Sequence, residues 1–184
     1  YLSDETNAEV FLKLENLQYT SSFKVRGAFV SIKRLTEKQK QMGVIAMSAG
    51  NHAQAVAWWA KKECVKATII MPEHAPLSKV MKTKSLGAEV ILKGRTLNES
   101  QSYVSELVND KKLTLIHPYD DPNVVIGQGT LGLELMQDIV NLDILIIPIG
   151  GGGLISGISI VAKALNPYIE IYGVQTEKFP SMYN

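Results

Sequence analysis

The chain has 184 residues, 46% of them hydrophobic, which is enough to bury a substantial core in one domain or two small ones. Its 19 Lys and Arg residues nearly balance 18 Asp and Glu, so neither the net charge of +1 nor any short apolar run points to a nucleic-acid or membrane partner. One cysteine, Cys64, and no signal segment at the start favour a reducing, cytoplasmic location.

Short β-branched runs alternate with stretches of helical spacing from Gly43 onward. This pattern is typical of an α/β fold in which twisted parallel sheets carry helices on both faces. A strand-like run at 10–14 precedes it, and helices are predicted at 23–35, 51–62, 96–109 and 155–165. The later strand candidates number six, which indicates more than one sheet: 44–47, 67–71, 88–92, 113–117, 143–148 and 170–174.

Both ends of this pattern look incomplete. The run at 10–14 would need neighbouring strands, and the sequence stops ten residues after the last strand candidate. Because an open parallel sheet with missing neighbours exposes unpaired backbone groups, we expect the chain to be a fragment of a larger protein.

Four consecutive glycines, Gly150 to Gly153, lie between the strand candidate 143–148 and Leu154, which leads into the following helix. Glycine lets backbone N–H groups turn inward, and the helix N-terminus adds a partial positive charge, so this loop can bind an anion. A tight strand-to-helix turn is the structural alternative, although one or two glycines would satisfy it. Because no Lys-Ser/Thr pair follows and the next strand has no acidic end, a bare phosphate ester fits better than a nucleotide.

Lys24 follows Ser21, Ser22 and Phe23 near the start of a predicted helix. The positive end of that helix, and any burial, would lower the pKa of the ammonium and favour the neutral amine that a Schiff base needs. Most lysines are solvated surface groups, so this motif alone is weak evidence.

A third motif, Ser48 to Gln54, opens another helix at a strand end. Ser48 or Asn51 could cap the helix. Equally, the backbone N–H groups of this turn suit a carboxylate, the Asn51 amide can bond a ring hydroxyl, and His52 could act as a general base. The three histidines, at positions 52, 74 and 117, lack metal-ligand spacing, so no metal site is expected.

These three motifs, together with Glu15-Asn16-Leu17-Gln18, closely resemble the threonine dehydratase and serine racemase group of pyridoxal-5′-phosphate (PLP) enzymes, of the tryptophan-synthase-β fold family. The resemblance implies that Lys24 is the Schiff-base lysine and that Phe23 is the aromatic residue beside it. By the same resemblance Asn51 bonds the pyridine 3′-oxygen. The residues implied for the cofactor phosphate are Gly150, Gly151, Gly152, Gly153 and Leu154, and those implied for the substrate carboxylate are Ser48, Ala49, Gly50, Asn51 and His52.

The family architecture implies a small α/β domain at 43–119 and a large PLP-binding domain formed by 1–42 and 120–184, with PLP between them. The residue that meets the pyridine nitrogen would then lie beyond residue 184. The implied activity is α,β-elimination from L-threonine, or L-serine, to 2-oxobutanoate or pyruvate and ammonia. Relatives of this group are commonly dimers or tetramers, so a homo-oligomer is implied.

Three other functions stay open. Serine racemases of this group carry a second serine where this chain has Ala49, and a missing hydroxyl there favours elimination over racemisation. Cysteine-synthase-like β-replacement enzymes usually have threonine where this chain has His52. A non-catalytic module that binds a phosphate ligand would need the glycine loop but not Lys24.

Overall fold

The computed structural model describes residues 1–183, which form eight α-helices and six β-strands. The helices are α1 (Leu2–Thr6), α2 (Lys24–Lys33), α3 (Glu37–Met42), α4 (Asn51–Lys62), α5 (Leu77–Ser85), α6 (Leu97–Lys111), α7 (Pro122–Asp138) and α8 (Gly153–Leu165). The strands are β1 (Val44–Met47), β2 (Ala67–Met71), β3 (Glu89–Leu92), β4 (Thr114–Leu115), β5 (Ile144–Pro148) and β6 (Glu170–Val174). No helix in the described residues is long and apolar enough to cross a membrane.

Four strands form a parallel sheet in the order β3-β2-β1-β4. Because side chains alternate along a strand, Val44 and Ala46 of β1 pack on one face with the core residues of α2, α4 and α5. Ile45 points to the other face and packs with Val104 and Leu107 of α6. The predicted parallel sheet with helices on both faces is therefore confirmed.

The remaining two strands, β5 and β6, form a separate parallel pair. Leu145 and Ile147 of β5 are buried in a second core with Ile158 of α8 and Leu131 of α7. The alternate side chains of β5 are exposed, most of all Ile146. The prediction of more than one sheet is thus confirmed.

The expected strand at 10–14 is wrong. This segment has no regular secondary structure and leads into a short 3-10 helix at Glu15–Leu17, and Phe11 and Leu12 are largely exposed. Its apolar spacing favours a strand, but no strand of residues 1–183 lies beside it to share backbone hydrogen bonds. The division into domains 43–119 and 1–42 with 120–184 stays a prediction.

Helix α2, which begins at Lys24, packs against both α4 and α7. Where it crosses α7, a Cβ atom added at Gly127 would overlap the Arg26 carbonyl and the Gly27 Cα. A Cβ added at Gly27 would lie 2.7 Å from the Gln128 amide nitrogen. The two backbones can therefore meet only because both positions are glycine, and this contact fixes the position of α2.

Arg26 also ties α2 to the segment before it. Its guanidinium bonds the carboxylates of Glu15, through Nε at 2.8 Å, and of Glu134 on α7, through Nη1 at 2.7 Å. The side chain is only 10% exposed, and its Nη1 also donates to Thr130 at 3.0 Å. A buried charge that lost these partners would be costly, so the cluster holds the first turns of α2 against α7.

This cluster predicts an acid-sensitive contribution to stability. The Arg26 hydrogen bond, foremost, lowers the pKa of Glu134 to about 2. A carboxyl whose pKa is lowered on folding stabilises the protein above its unfolded pKa of about 4.3, and that stabilisation is lost as the pH falls toward 2. Because the Glu134 side chain is 41% exposed, we expect a contribution of only about 1 kcal/mol.

Urea unfolding at several values of pH measures this contribution. Between pH 5 and 2.5 the free energy of unfolding of the native chain should fall by about 1 kcal/mol more than that of Glu134→Gln. The matched control is Glu106→Gln, at an exposed position on α6, which should follow the native curve. Parallel curves for the native chain and Glu134→Gln would contradict the prediction.

Candidate active site

Lys24 is the first residue of α2, and its amine lies in a partly buried space. The Nζ atom donates a hydrogen bond to the Pro118 carbonyl at 2.6 Å and lies 5.2 Å from the centroid of the Phe23 ring. Burial lowers the pKa of Lys24 to about 8. A substantial fraction of this amine is therefore neutral near physiological pH, and a neutral amine is a nucleophile and a base.

The glycine loop lies where β5 ends and α8 begins. Among the hydrogen bonds of residues 1–183, none is donated by the backbone N–H groups of Gly150, Gly151 or Gly152. Gly152 caps α8 with a φ of 86°, a left-handed conformation that favours glycine. These N–H groups, at the positive end of a 13-residue helix, can receive a phosphate.

The loop 48–52 has the same construction at the end of β1. Gly50 is the N-cap of α4, and no side chain caps this helix, so the capping role considered for Ser48 or Asn51 is wrong. Ser48 instead accepts a hydrogen bond from Gly50 N at 3.1 Å. In the described part of the chain, the N–H groups of Ala49, Asn51 and His52 have no acceptor and can receive an anion.

His52 is buried and its Nε2 lies 2.8 Å from the Ile116 carbonyl. A carbonyl oxygen only accepts, so Nε2 carries the proton in this contact. Burial, the largest cause, lowers the pKa of His52 to about 4. The ring is therefore neutral at physiological pH and serves here as a hydrogen-bond donor.

Residues 116–119 bring the three motifs together. Ile116 accepts from His52, Pro118 accepts from Lys24, and the Tyr119 ring lies so close to the glycine loop that a Cβ atom on Gly151 would overlap it. Sequence reasoning did not single out Pro118 or Tyr119 as site residues. The signal available was their place directly after the strand candidate 113–117, because ligands of a parallel α/β sheet bind at the carboxyl ends of its strands.

The two apolar side chains of the predicted site, Phe23 and Leu154, lie in different places. Phe23 packs against the second core and under the Lys24 amine, while Leu154 is buried in that core behind the loop. No group of three or more His, Cys, Asp or Glu side chains suited to a metal ion occurs in the described residues. A desolvated amine and two loops with free N–H groups fit PLP, which carries an aldehyde and a phosphate.

Comparisons with known proteins agree with this chemistry. The family described as "Pyridoxal-phosphate dependent enzyme" matches residues 1–184. L-threonine dehydratase catabolic TdcB from Staphylococcus aureus is 54% identical over 99% of this chain and 53% of its own length. The chain spans about half the length of the curated relatives it matches.

Two solved structures have nearly the same backbone. The processed form of threonine deaminase isoform 2 from Solanum lycopersicum has a TM-score of 0.95 and 39% identity, over 98% of this chain and 50% of that one. Serine racemase from Dictyostelium discoideum has a TM-score of 0.94 and 41% identity, over 99% of this chain and 59% of that one. These similarities confirm the predicted fold of PLP enzymes.

Proposed function

Because this chain belongs to the family of pyridoxal-phosphate-dependent enzymes, we propose that it is part of a lyase that deaminates L-threonine and L-serine. The products are 2-oxobutanoate or pyruvate, with ammonia. The observation that carries the proposal is the partly buried Lys24 amine, with a pKa of about 8, which residues 116–119 connect to two loops with unpaired N–H groups. Relatives named threonine ammonia-lyase and threonine dehydratase support this substrate.

In this proposal Lys24 bonds the cofactor aldehyde, and Phe23 lies beside that bond. Asn51 bonds the 3′-oxygen of the pyridine ring. The cofactor phosphate is received by the N–H groups of the glycine loop: Gly150, Gly151, Gly152 and Gly153, with Leu154 packed behind them. The substrate carboxylate is received by the loop of Ser48, Ala49, Gly50, Asn51 and His52.

When bound, PLP supplies an electron sink for the carbanion formed at the substrate α-carbon. Once the substrate amine has released it from the cofactor aldehyde, Lys24 Nζ would act as the base that takes the α-proton, because burial lowers its pKa to about 8 and leaves part of it neutral. Loss of the β-hydroxyl as water and hydrolysis of the carbon–nitrogen bond complete the elimination. Residues 116–119 lie against Lys24 and the glycine loop and reduce the access of water to the Lys24 amine.

The same resemblance supports three further parts of the proposal. Residues 43–119 form a small domain, and 1–42 with 120–184 contribute to a large one. The whole enzyme is a cytoplasmic homo-oligomer, a dimer or a tetramer. Its partner molecule is a small amino acid rather than a nucleic acid or a membrane.

Borohydride reduction after incubation with PLP, followed by peptide mapping, tests the proposal on this chain and on the natural gene product that contains it. We expect selective modification of Lys24, and release of 2-oxobutanoate when threonine is added to the natural product. A matched control is pyridoxal without its phosphate, which should label Lys24 far less at equal concentration. Labelling scattered over surface lysines would overturn the proposal.

Serine racemisation is the second candidate, because the Dictyostelium discoideum racemase has almost the same backbone. Ala49 packs against the main core at the edge of the substrate loop and has no hydroxyl to donate a proton. We expect Ala49→Ser in the natural gene product to raise the ratio of serine racemisation to deamination by about tenfold or more. Chiral chromatography of the serine pool measures this ratio.

Ala53→Ser is the control for the added hydroxyl, because Ala53 lies four residues beyond Ala49, inside α4, where it is fully buried. It should leave the ratio unchanged. If the native ratio of racemisation to deamination is already comparable with that of known racemases, racemisation is favoured as the main activity. If Ala49→Ser leaves this ratio unchanged, the role given to position 49 is contradicted.

A further inference from the structure

His52 and Lys24 lie on different helices but contact the same short segment after β4. His52 Nε2 donates to the Ile116 carbonyl at 2.8 Å, and Lys24 Nζ donates to the Pro118 carbonyl at 2.6 Å. Only His117 separates the two acceptors along the chain. The segment therefore couples the start of α4 to the reactive amine of α2.

We propose that His52 is a positioning residue that holds the Pro118 carbonyl against the Lys24 amine and so keeps that amine in place and shielded from water. The inference rests on the function proposed above, since it concerns the same lysine. It gives a buried histidine of the substrate loop a role that does not require contact with substrate or cofactor.

The chemistry of His52 suits this task. Burial lowers its pKa to about 4, so the ring stays neutral over the working range of pH and its Nε2–H donor is constant. The titratable groups that act on His52 are Lys24 on α2 and His117 after β4. Both disfavour a positive charge on the His52 ring. A neutral donor at this point anchors the segment without adding a charge that would compete with Lys24.

Besides the packing of the buried Ile116 side chain in the core and of Tyr119 against the glycine loop, few hydrogen bonds hold the segment in this position. β4 has two residues and pairs with β1 alone, and its end is fixed by the bond from Ile116 N to Ile45 O at 2.9 Å. Beyond it the His117 ring accepts from Asp120 N at 2.8 Å, which shapes the turn but does not attach it to another element. The His52 contact is therefore the side-chain bond that attaches the segment to α4.

The consequence is a specific dependence of Lys24 on His52. The lowered pKa of Lys24 has a single cause, burial of the amine. If the segment moves away, water reaches Nζ and the pKa of Lys24 rises toward its ordinary value. A rise of one unit reduces the neutral fraction at pH 8 about fivefold.

The test is reductive methylation of Lys24 without PLP, at a series of pH values, in the native chain and in two polar variants. His52→Gln places an amide donor near the position of Nε2, whereas the shorter His52→Asn cannot reach Ile116. We expect His52→Gln to retain a pKa of about 8 for Lys24, as in the native chain. His52→Asn should raise it and lower methylation at pH 8 about fivefold.

His74→Asn, at an exposed position, is the matched control and should leave the pKa of Lys24 unchanged. An unchanged value in His52→Asn would overturn the inference. If that variant does not fold, nitrogen-15 NMR of the native chain decides instead: His52 must remain neutral with the proton on Nε2 down to about pH 5. Titration of its ring near pH 6.5 would overturn the inference.

The outcome does not depend on the proposed function, because no cofactor is present in this measurement. Failure of Lys24 to be labelled selectively by PLP would overturn the function and leave the His52 effect measurable. An unchanged pKa with normal PLP labelling would overturn only the role of His52.

Discussion

Replacement of Lys24 by alanine is expected to abolish the borohydride-stable modification by PLP in this chain. In the natural gene product it should lower threonine deamination by about a thousandfold or more. The variant removes the amine that bonds the cofactor and the base that takes the α-proton, and a positioned base alone contributes about 10²–10⁴ in rate. Lys24 Nζ has one hydrogen bond among the described residues, to the Pro118 carbonyl, so its removal should lower the stability of the fold by only about 1 kcal/mol.

The matched control is Lys33→Ala at the other end of the same helix. Lys33 is half exposed and pairs with Glu63, so its loss should change neither labelling nor turnover. Peptide mapping and a 2-oxo acid assay measure both variants. If Lys24→Ala is labelled by PLP as strongly as the native chain, at a lysine that is also labelled in the native chain, the assignment of Lys24 as the cofactor lysine is contradicted.

The glycine loop gives the second large effect. A Cβ atom on Gly153 would lie 2.8 Å from the Tyr119 carbonyl oxygen and 2.9 Å from the Tyr119 Cα. Backbone atoms cannot swing aside as a side chain can, so Gly153→Ala should push α8 away from residues 116–119. We expect PLP to bind about 100-fold more weakly, equivalent to about 2.7 kcal/mol.

Ser156→Ala is the control on the same helix, because Ser156 lies at an exposed position three residues beyond Gly153 and outside the loop. It should bind PLP with nearly native affinity. Fluorescence titration with PLP compares the two, and urea unfolding should show a loss of about 1–3 kcal/mol for Gly153→Ala alone. Equal affinities would show that the approach of Tyr119 to the loop has no part in binding.

Local signals in the sequence were sufficient for most of the sheet. β1, β2 and β6 begin and end where predicted, and the runs of β1 and β2 are bounded on both sides by glycine, proline or polar residues. The segment 10–14 has the same local appearance but no strand beside it. Whether an apolar run becomes a strand depends on a partner, which propensity within the run does not encode.

The site was predictable to a similar extent. Lys24 and the loops 48–52 and 150–153 lie at helix N-termini, where short-range rules apply, and the family pattern added their roles. The hydrogen bonds of Lys24 to Pro118 and of His52 to Ile116 end on backbone carbonyls, which carry no side-chain signal. The ion pair of Arg26 with Glu134 joins residues more than 100 positions apart and is equally invisible to local spacing.

Helix α2 packs against both α4 and α7, and α7 is synthesised well after α2. Lys24 emerges from the ribosome more than 100 residues before the glycine loop, a delay of about 6–25 s at ordinary rates of translation. Until α7 follows, the face of α2 around Gly27 lacks the partner that fixes its position. A nascent chain therefore presents its reactive lysine without the phosphate loop, and selective capture of the cofactor must wait for the later half of these residues.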